Sequence, residues 1–354
     1  MFKNKSSIFR IRILEISFII LGIISLIYCR IIWMNSHYYL FGAPVWDTGF
    51  FGHLISNSSI HLRNPNVIPS ESYYDTHISP AIAIYSLISP FKSFSQPIQL
   101  GIFIGICQSI VFPVIYFSIK ENFNLKNKWI ILVSVYIFSL LYSGLSEPER
   151  LVQFPHFEVI IPSLISLSLL FFIRRKNKLA IISALIAFTF REDAGLHLGF
   201  LYLTLYFYFY FQLKRFDNNK INLKQYKKFS YILSLLGFSF SGISIIVQKI
   251  YFTSDNAFMR VYSGENFYSH LSFHFLKLRF NDLFNLQAVH DYWLIIPLIL
   301  STSAFLLTRN LLFIMGYISC IPWLLVHITA VSPMAGLLDA HYGFPLLIGI
   351  LFPI

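Results

Sequence analysis

Residues 179–213 read LAIISALIAFTFREDAGLHLGFLYLTLYFYFYFQL, 35 residues that are apolar on both sides of one charged triplet, Arg191-Glu192-Asp193. As one helix they would extend about 52 Å at 1.5 Å per residue, against a bilayer core of roughly 30 Å. The chain is therefore expected to turn near 191–195, with Gly195 helping, and to form a hairpin of apolar helices. The first arm, 179–190, reaches only about 18 Å. Either the turn lies recessed below the membrane surface or Lys178 snorkels. Ionisable groups at such depth are costly and face protein or water. Two readings of the triplet stay open: it lines a site, or Arg191 pairs with a carboxylate and fixes the hairpin.

The rest of the chain has the same character. Of 354 residues, 56% are hydrophobic, 18% aromatic and only 12% charged. An average soluble domain carries about 25% charged residues, and a single soluble core stops growing near 250–300 residues. The aromatic load excludes disorder. Cys29, Cys107 and Cys320 sit in apolar runs, which excludes a disulfide scaffold. What remains is an all-α, polytopic membrane bundle forming one integral domain over 1–354.

Apolar runs at 13–33, 98–119, 129–146, 157–173, 194–213, 229–252, 291–307 and 311–331, with shorter ones at 179–190 and 342–354, give about ten spans by the roughly 20-residue requirement. The run at 78–91 covers only about 21 Å and is placed along the outer surface. With the N-terminus in the cytoplasm, the inner segments hold 18 of the 27 Lys and Arg, and their only acids are Glu15, Glu121 and Asp217. This is a strong positive-inside bias. The basic loops then set orientation and touch anionic membrane lipid; nucleic acid is not an expected partner. Long outer loops fall at 34–97 and 253–290. The chain stops inside an apolar run at Ile354, read as a shortened C-terminal end. Phosphate-binding glycine loops, zinc-protease motifs and nucleophile elbows are absent from the sequence.

This topology gathers the uncommon polar residues on the outer face, where five loops converge. Asp47 opens an amphipathic stretch containing Phe50, Phe51, Leu54 and Ile55. It is either a helix cap or a carboxylate able to take a proton from a hydroxyl. Asp75 and His77 form an Asp-x-His that orients an imidazole, caps a helix or contributes to a metal site, although nothing nearby completes a ligand set. His156 and Glu158 open a span, as interfacial anchors or as groups facing the cavity. Arg260 and His274 belong to the fourth outer loop.

The pattern Trp46-Asp47-Thr48-Gly49-Phe50-Phe51, Asp75-Thr76-His77-Ile78-Ser79-Pro80, His156-Phe157-Glu158 and Arg191-Glu192-Asp193-Ala194-Gly195-Leu196 resembles an uncharacterised group of bacterial and archaeal membrane proteins, the DUF2079 group. That group is similar to GT-C glycosyltransferases, which include protein O-mannosyltransferases and aminoarabinose transferases. The resemblance covers about residues 35–345. It implies a GT-C-like bundle with long outer loops after the first and seventh spans, in a cytoplasmic membrane of the cell envelope. It implies a polyprenyl-phosphate sugar donor and a carboxylate in the first outer loop, the position of Asp47. Asp47 stands alone where many of these enzymes carry paired acids.

The expected function is transfer of a sugar from a polyprenyl-phosphate donor to an acceptor hydroxyl at the outer face. Asp47 is the expected general base, and Arg191, assisted by Arg260 or His274, stabilises the phosphate leaving group. Asp75 and His77 position Asp47 or the acceptor, while Glu158 and Glu192 bind sugar hydroxyls or hold Arg191. Asp193 and His156 complete the set. No cofactor is required by this scheme; a divalent metal is left open. The rival readings are a lipid or solute transporter or flippase, and a non-catalytic membrane scaffold.

Overall fold

A computed structural model describes residues 3–39, 45–57, 60–62, 72–110, 112–114, 116–117, 157–215, 220–252, 259–264, 268–289, 292–337 and 348. Among the described residues the chain is all-helical, without a β-strand. The expected spans at 129–146 and 342–354 lie outside the described residues, Ile348 excepted.

Helix α1, Lys3–Tyr39, is followed by α2, Val45–Ser56. A 3₁₀ turn at Tyr73–Asp75 precedes α3, Pro80–Ile88, and then α4, Gln96–Ser109. A second 3₁₀ turn, Phe157–Val159, leads into α5, Ile160–Ile173, and α6, Asn177–Phe188. Then come α7, Ala194–Arg215, and α8, Lys220–Tyr251. A π-helical turn at Met259–Ser263 precedes α9, Phe273–Val289, and α10, Tyr292–Thr308. Helix α11, Leu312–Ile328, and the short α12, Pro333–Gly336, close the described part.

Among the described residues, four helical stretches are long and apolar enough to cross a membrane: Ile13–Ser36, Gln96–Val114, Ala194–Lys214 and Asn222–Tyr251. Shorter apolar helices lie at Ile160–Ile173, Asn177–Phe188, Leu298–Thr308 and Leu312–Ile328. These are the dimensions of an integral membrane protein. Helix α1 leaves Ile13, Ile16, Ile20, Ile24 and Tyr28 exposed, an apolar surface suited to lipid. Helix α3 has nine residues, about 14 Å, too short to span.

Two pairs of helices touch through glycine. On α4, a Cβ at Gly101 would lie 2.7 Å from Ile31 Cα, and one at Gly105 would lie 2.8 Å from Ile27 Cα. On the α7–α8 pair, a Cβ at Gly237 would lie 2.8 Å from the Gly199 amide nitrogen, and one at Gly195 would run into the Gly237 carbonyl. Gly101-x-x-x-Gly105 and Gly195-x-x-x-Gly199 are thus small-x-x-x-small packing motifs. In lipid, close backbone approach of this kind replaces the hydrophobic effect as the force between helices.

Candidate functional site

The turn between α6 and α7 carries Arg191, Glu192 and Asp193, and it is tied down on two sides. From the segment before α3, the Ile78 amide donates to Glu192 Oε2 at 2.9 Å and Ser79 Oγ donates to the Phe190 carbonyl at 2.7 Å. The Ala81 amide donates to the Thr189 carbonyl at 2.8 Å. From α8, Ser241 Oγ donates to the Glu192 carbonyl. These bonds satisfy the carbonyls left over where α6 stops, and α7 restarts at Ala194.

Arg191 is the hub. Its Nη1 lies 3.4 Å from Glu158 Oε1, and its Nε lies 3.3 Å from Asp193 Oδ2 and 4.0 Å from Glu192 Oε1. His77 donates from Nδ1 to Glu192 Oε1 at 2.8 Å. Arg191, Glu158 and Asp193 are buried, whereas the His77 side chain is 23% exposed and forms the open edge. Below the charges lies an aromatic floor. The ring of Phe157 packs on Phe51 (centroids 5.5 Å apart), Phe103 (6.1 Å) and Phe190 (6.4 Å).

This low-dielectric setting fixes the electrostatics. Burial favours the neutral form of Asp193, and although Arg191 opposes it, Glu192 and Glu158 add to it; the carboxyl is pushed up to about 6. Burial also acts against Glu192, but His77 and Arg191 outweigh it and hold that carboxyl below its ordinary value. For Arg191, burial lowers the value, yet attraction to Asp193, Glu158 and Glu192 prevails and keeps the guanidinium firmly charged. Burial, then Glu158, raise the Tyr73 phenol well above its ordinary value. Three carboxylates therefore face one guanidinium and one imidazole. Among the described residues, neither oxygen of Asp193, nor Arg191 Nε, has a hydrogen bond, despite their ion-pair distance. A buried polar atom left this way is costly.

The structure brings together His77, Glu158, Arg191, Glu192 and Asp193. Asp75 is close in sequence but turned to another task. Its Oδ2 accepts from the Ser72 amide at 3.1 Å, while Ser72 Oγ accepts from the Tyr74 amide at 3.2 Å, a reciprocal capping box. The imidazole of His77 is thus oriented by Glu192, 115 residues away, and not by Asp75. Gln248 of α8 holds the same segment, donating to the Tyr74 and Asp75 carbonyls at 3.1 and 3.2 Å.

Asp47 is the third residue of α2, in its first turn, where a carboxylate suits the helix dipole. Its side chain lies outside the described residues, as do His156 and the side chain of Arg260. Phe50 and Phe51, three and four residues after Asp47, pack on Tyr73 with centroids 5.8 and 5.9 Å away. Helix α2 therefore lies directly against the segments bearing His77 and Glu158. Arg260 belongs to the π-helical turn Met259–Ser263, and Tyr262 of that turn contributes to the field at Arg191. His274 is exposed near the start of α9, unlike the buried cluster.

Sequence reasoning missed a second aromatic and imidazole group at this site. His197 follows Asp193 by four residues, with Nε2 3.9 Å from Asp193 Oδ2. Its ring meets Trp323 edge-on at 4.8 Å; Trp323 in turn meets His327 at 5.1 Å, and Tyr262 meets His327 at 5.5 Å. His327 Nδ1 donates to the Ala335 carbonyl at 2.9 Å. The available signal was an ionisable residue inside an apolar run, which is a functional pointer by default. Among the described residues, no group of His, Cys, Asp and Glu is arranged to hold a metal ion.

No family model, curated protein or solved structure matches the chain.

Proposed function

We propose that the chain is a membrane glycosyltransferase that moves a sugar from a polyprenyl-phosphate donor to an acceptor hydroxyl at the outer face, by a GT-C-like mechanism. The observation that carries this reading is the Asp193 carboxyl. It is buried beside Arg191 with both oxygens lacking hydrogen bonds among the described residues, next to an edge opened by His77. Such a group is suited to accept hydrogen bonds from a donor-rich ligand such as a sugar. Trp323, in edge contact with His197, adds the kind of flat apolar surface on which a sugar ring packs.

Asp47 is the general base in this scheme, on a helix packed against the site. Arg191 is already surrounded by three carboxylates, so it organises the acids, and the leaving phosphate falls to Arg260. In membranes supplied with a labelled polyprenyl-phosphate sugar, Asp47→Asn should express normally and lose about 10²–10⁴-fold in turnover. Loss of its charge from the first turn of α2 would cost only about 0.3–1 kcal/mol of stability. Near-normal turnover of the variant overturns the assignment of the base.

A second reading, proton-coupled transport, is favoured by one observation, the buried Asp193 carboxyl with neither oxygen hydrogen-bonded among the described residues, where burial favours its neutral form. Proteoliposomes with an imposed pH gradient separate the two. Substrate uptake that tracks the gradient and is abolished by Asp193→Asn, without sugar transfer, would replace the transferase reading.

A further inference from the structure

At the far end of α6 from the charged cluster, the α5–α6 turn and the first turns of α8 enclose a cleft of about 50 Å³. A single water needs roughly 10–15 Å³ on the same measure, so the cleft has room for the few atoms of a tetrahedral oxyanion. Its walls include Arg175, Asn177, Asn222, Gln225, Tyr226 and Phe172. Phe229 completes the wall; among the described residues the polar lining is one cation, three carboxamides and the Tyr226 hydroxyl, and no acid.

Arg175 is held in place. Its Nε donates to Tyr226 Oη at 3.3 Å, its guanidinium lies 5.5 Å from the centre of the Tyr226 ring, and Tyr226 Oη donates to the Ile173 carbonyl at 3.0 Å. Among the described residues its two terminal nitrogens carry no protein hydrogen bond, which leaves the end of the fork available for a planar or tetrahedral anion. The backbone at this turn ends α5. Arg175 has φ +58°, with its own amide donating to the Phe172 carbonyl at 2.9 Å and the Lys176 amide to the Phe171 carbonyl at 2.8 Å. This is the helix-ending motif whose left-handed position is ordinarily glycine. Lys176, Lys178, Lys224 and Lys228 are exposed around the same turns and raise the local positive potential.

We propose that this cleft binds a phosphate group, carried by an anionic lipid headgroup or free in solution, with Arg175 as the charged contact and Asn177, Asn222 and Gln225 as neutral donors. The proposal is independent of the transfer reaction. The test uses the full chain purified in detergent, with native mass spectrometry to count retained phosphatidylglycerol and phosphatidylcholine and titration to obtain apparent affinities.

One phosphatidylglycerol per chain is expected, bound at least about tenfold more tightly than phosphatidylcholine. Asn222→Leu replaces a carboxamide donor in the cleft by an apolar side chain of the same branching, without changing charge, and should weaken retention about tenfold or more. Lys228→Gln removes a nearby charge outside the cleft and should cost no more than about fivefold. Failure of millimolar inorganic phosphate to displace the lipid assigns the site to a headgroup; full displacement assigns it to soluble phosphate. If Asn222→Leu loses helical circular dichroism, Gln225→Ala takes its place. Unaltered retention in the cleft variant, an equal loss in Lys228→Gln, or no preference over phosphatidylcholine together with no binding of inorganic phosphate overturns the proposal.

Discussion

Arg191 and the acids around it stabilise one another in the protein interior, with His77 and the Ile78 amide also holding Glu192, so single and paired substitutions should behave very differently. Arg191→Gln leaves Glu158, Glu192 and Asp193 crowded without their guanidinium, and breaking a buried pair from one side typically costs about 3–5 kcal/mol. Arg191→Gln with Asp193→Asn removes one charge of each sign and should recover part of that loss. Thermal unfolding of the two singles and the double in the same detergent measures the coupling. Additive effects would mean that Arg191 and Asp193 do not interact. The acidity of Asp193 gives a second test. Its folded value, about 6, lies above its ordinary 3.8, so the folded chain holds this proton more tightly than the unfolded chain does. The resulting stabilisation is full below 3.8 and disappears as pH rises through about 6. Glu192 works the other way, contributing above its ordinary 4.5 and losing that contribution as pH falls below it. Relative to Asp193→Asn, the wild-type chain should therefore lose up to about 3 kcal/mol between pH 4 and pH 6.5. A difference in melting temperature that stays flat over this window would show that Asp193 titrates as an ordinary carboxylate.

The helices meet through glycines whose role the sequence alone does not display. Gly195→Ala would drive a methyl group into the Gly237 carbonyl, a backbone atom that cannot step aside, and Gly101→Ala would do the same at Ile31 Cα. Overpacking of this kind costs about 1–3 kcal/mol. Gly242, also within α8, has open space where its Cβ would be. Gly242→Ala should be neutral or stabilising by about 0.5–1 kcal/mol, because alanine is the better helix former. Melting temperatures of the three variants test the contrast, and a destabilised Gly242→Ala would break it. The same comparison explains what was legible in the sequence. The break at Arg191-Glu192-Asp193 could be read from length alone, since 35 apolar residues cannot make one span. That the helix after His77 is too short to span followed from the same arithmetic. Which glycine faces which backbone depends on a partner helix that the local sequence does not name. Trp323 and His327 were missed for the same reason, because Trp323 meets His197, and His327 meets Trp323, on a helix more than 120 residues further along.

At the scale of the whole molecule, α6 separates two unlike environments. Its first residue, Asn177, follows the basic turn Arg174-Arg175-Lys176, and its last, Phe188, leads to the acidic cluster. Twelve helical residues place these ends only about 18 Å apart, well inside a bilayer core of roughly 30 Å. The basic end can extend lysine and arginine side chains to the headgroups. The acidic end has no such reach, because its charges point at one another. It is therefore expected to sit recessed, reached through the opening beside His77. From the distribution of basic residues we propose that the α5–α6 turn and the start of α8 lie in the cytoplasm and the cluster on the external side. Single cysteines test this in a background from which the exposed Cys29 has been removed. A membrane-impermeant maleimide added to intact cells should label Ser269→Cys, and it should label Lys176→Cys and Lys224→Cys only after the membrane is opened. His77→Cys should react with a small external thiosulfonate but slowly with a bulky maleimide, since its side chain is only partly exposed. External labelling at position 176 would invert the orientation and place the acidic cluster inside. In that case an outer-face glycosyl transfer would lose its site, while the phosphate cleft at Arg175 would stand and face the opposite leaflet.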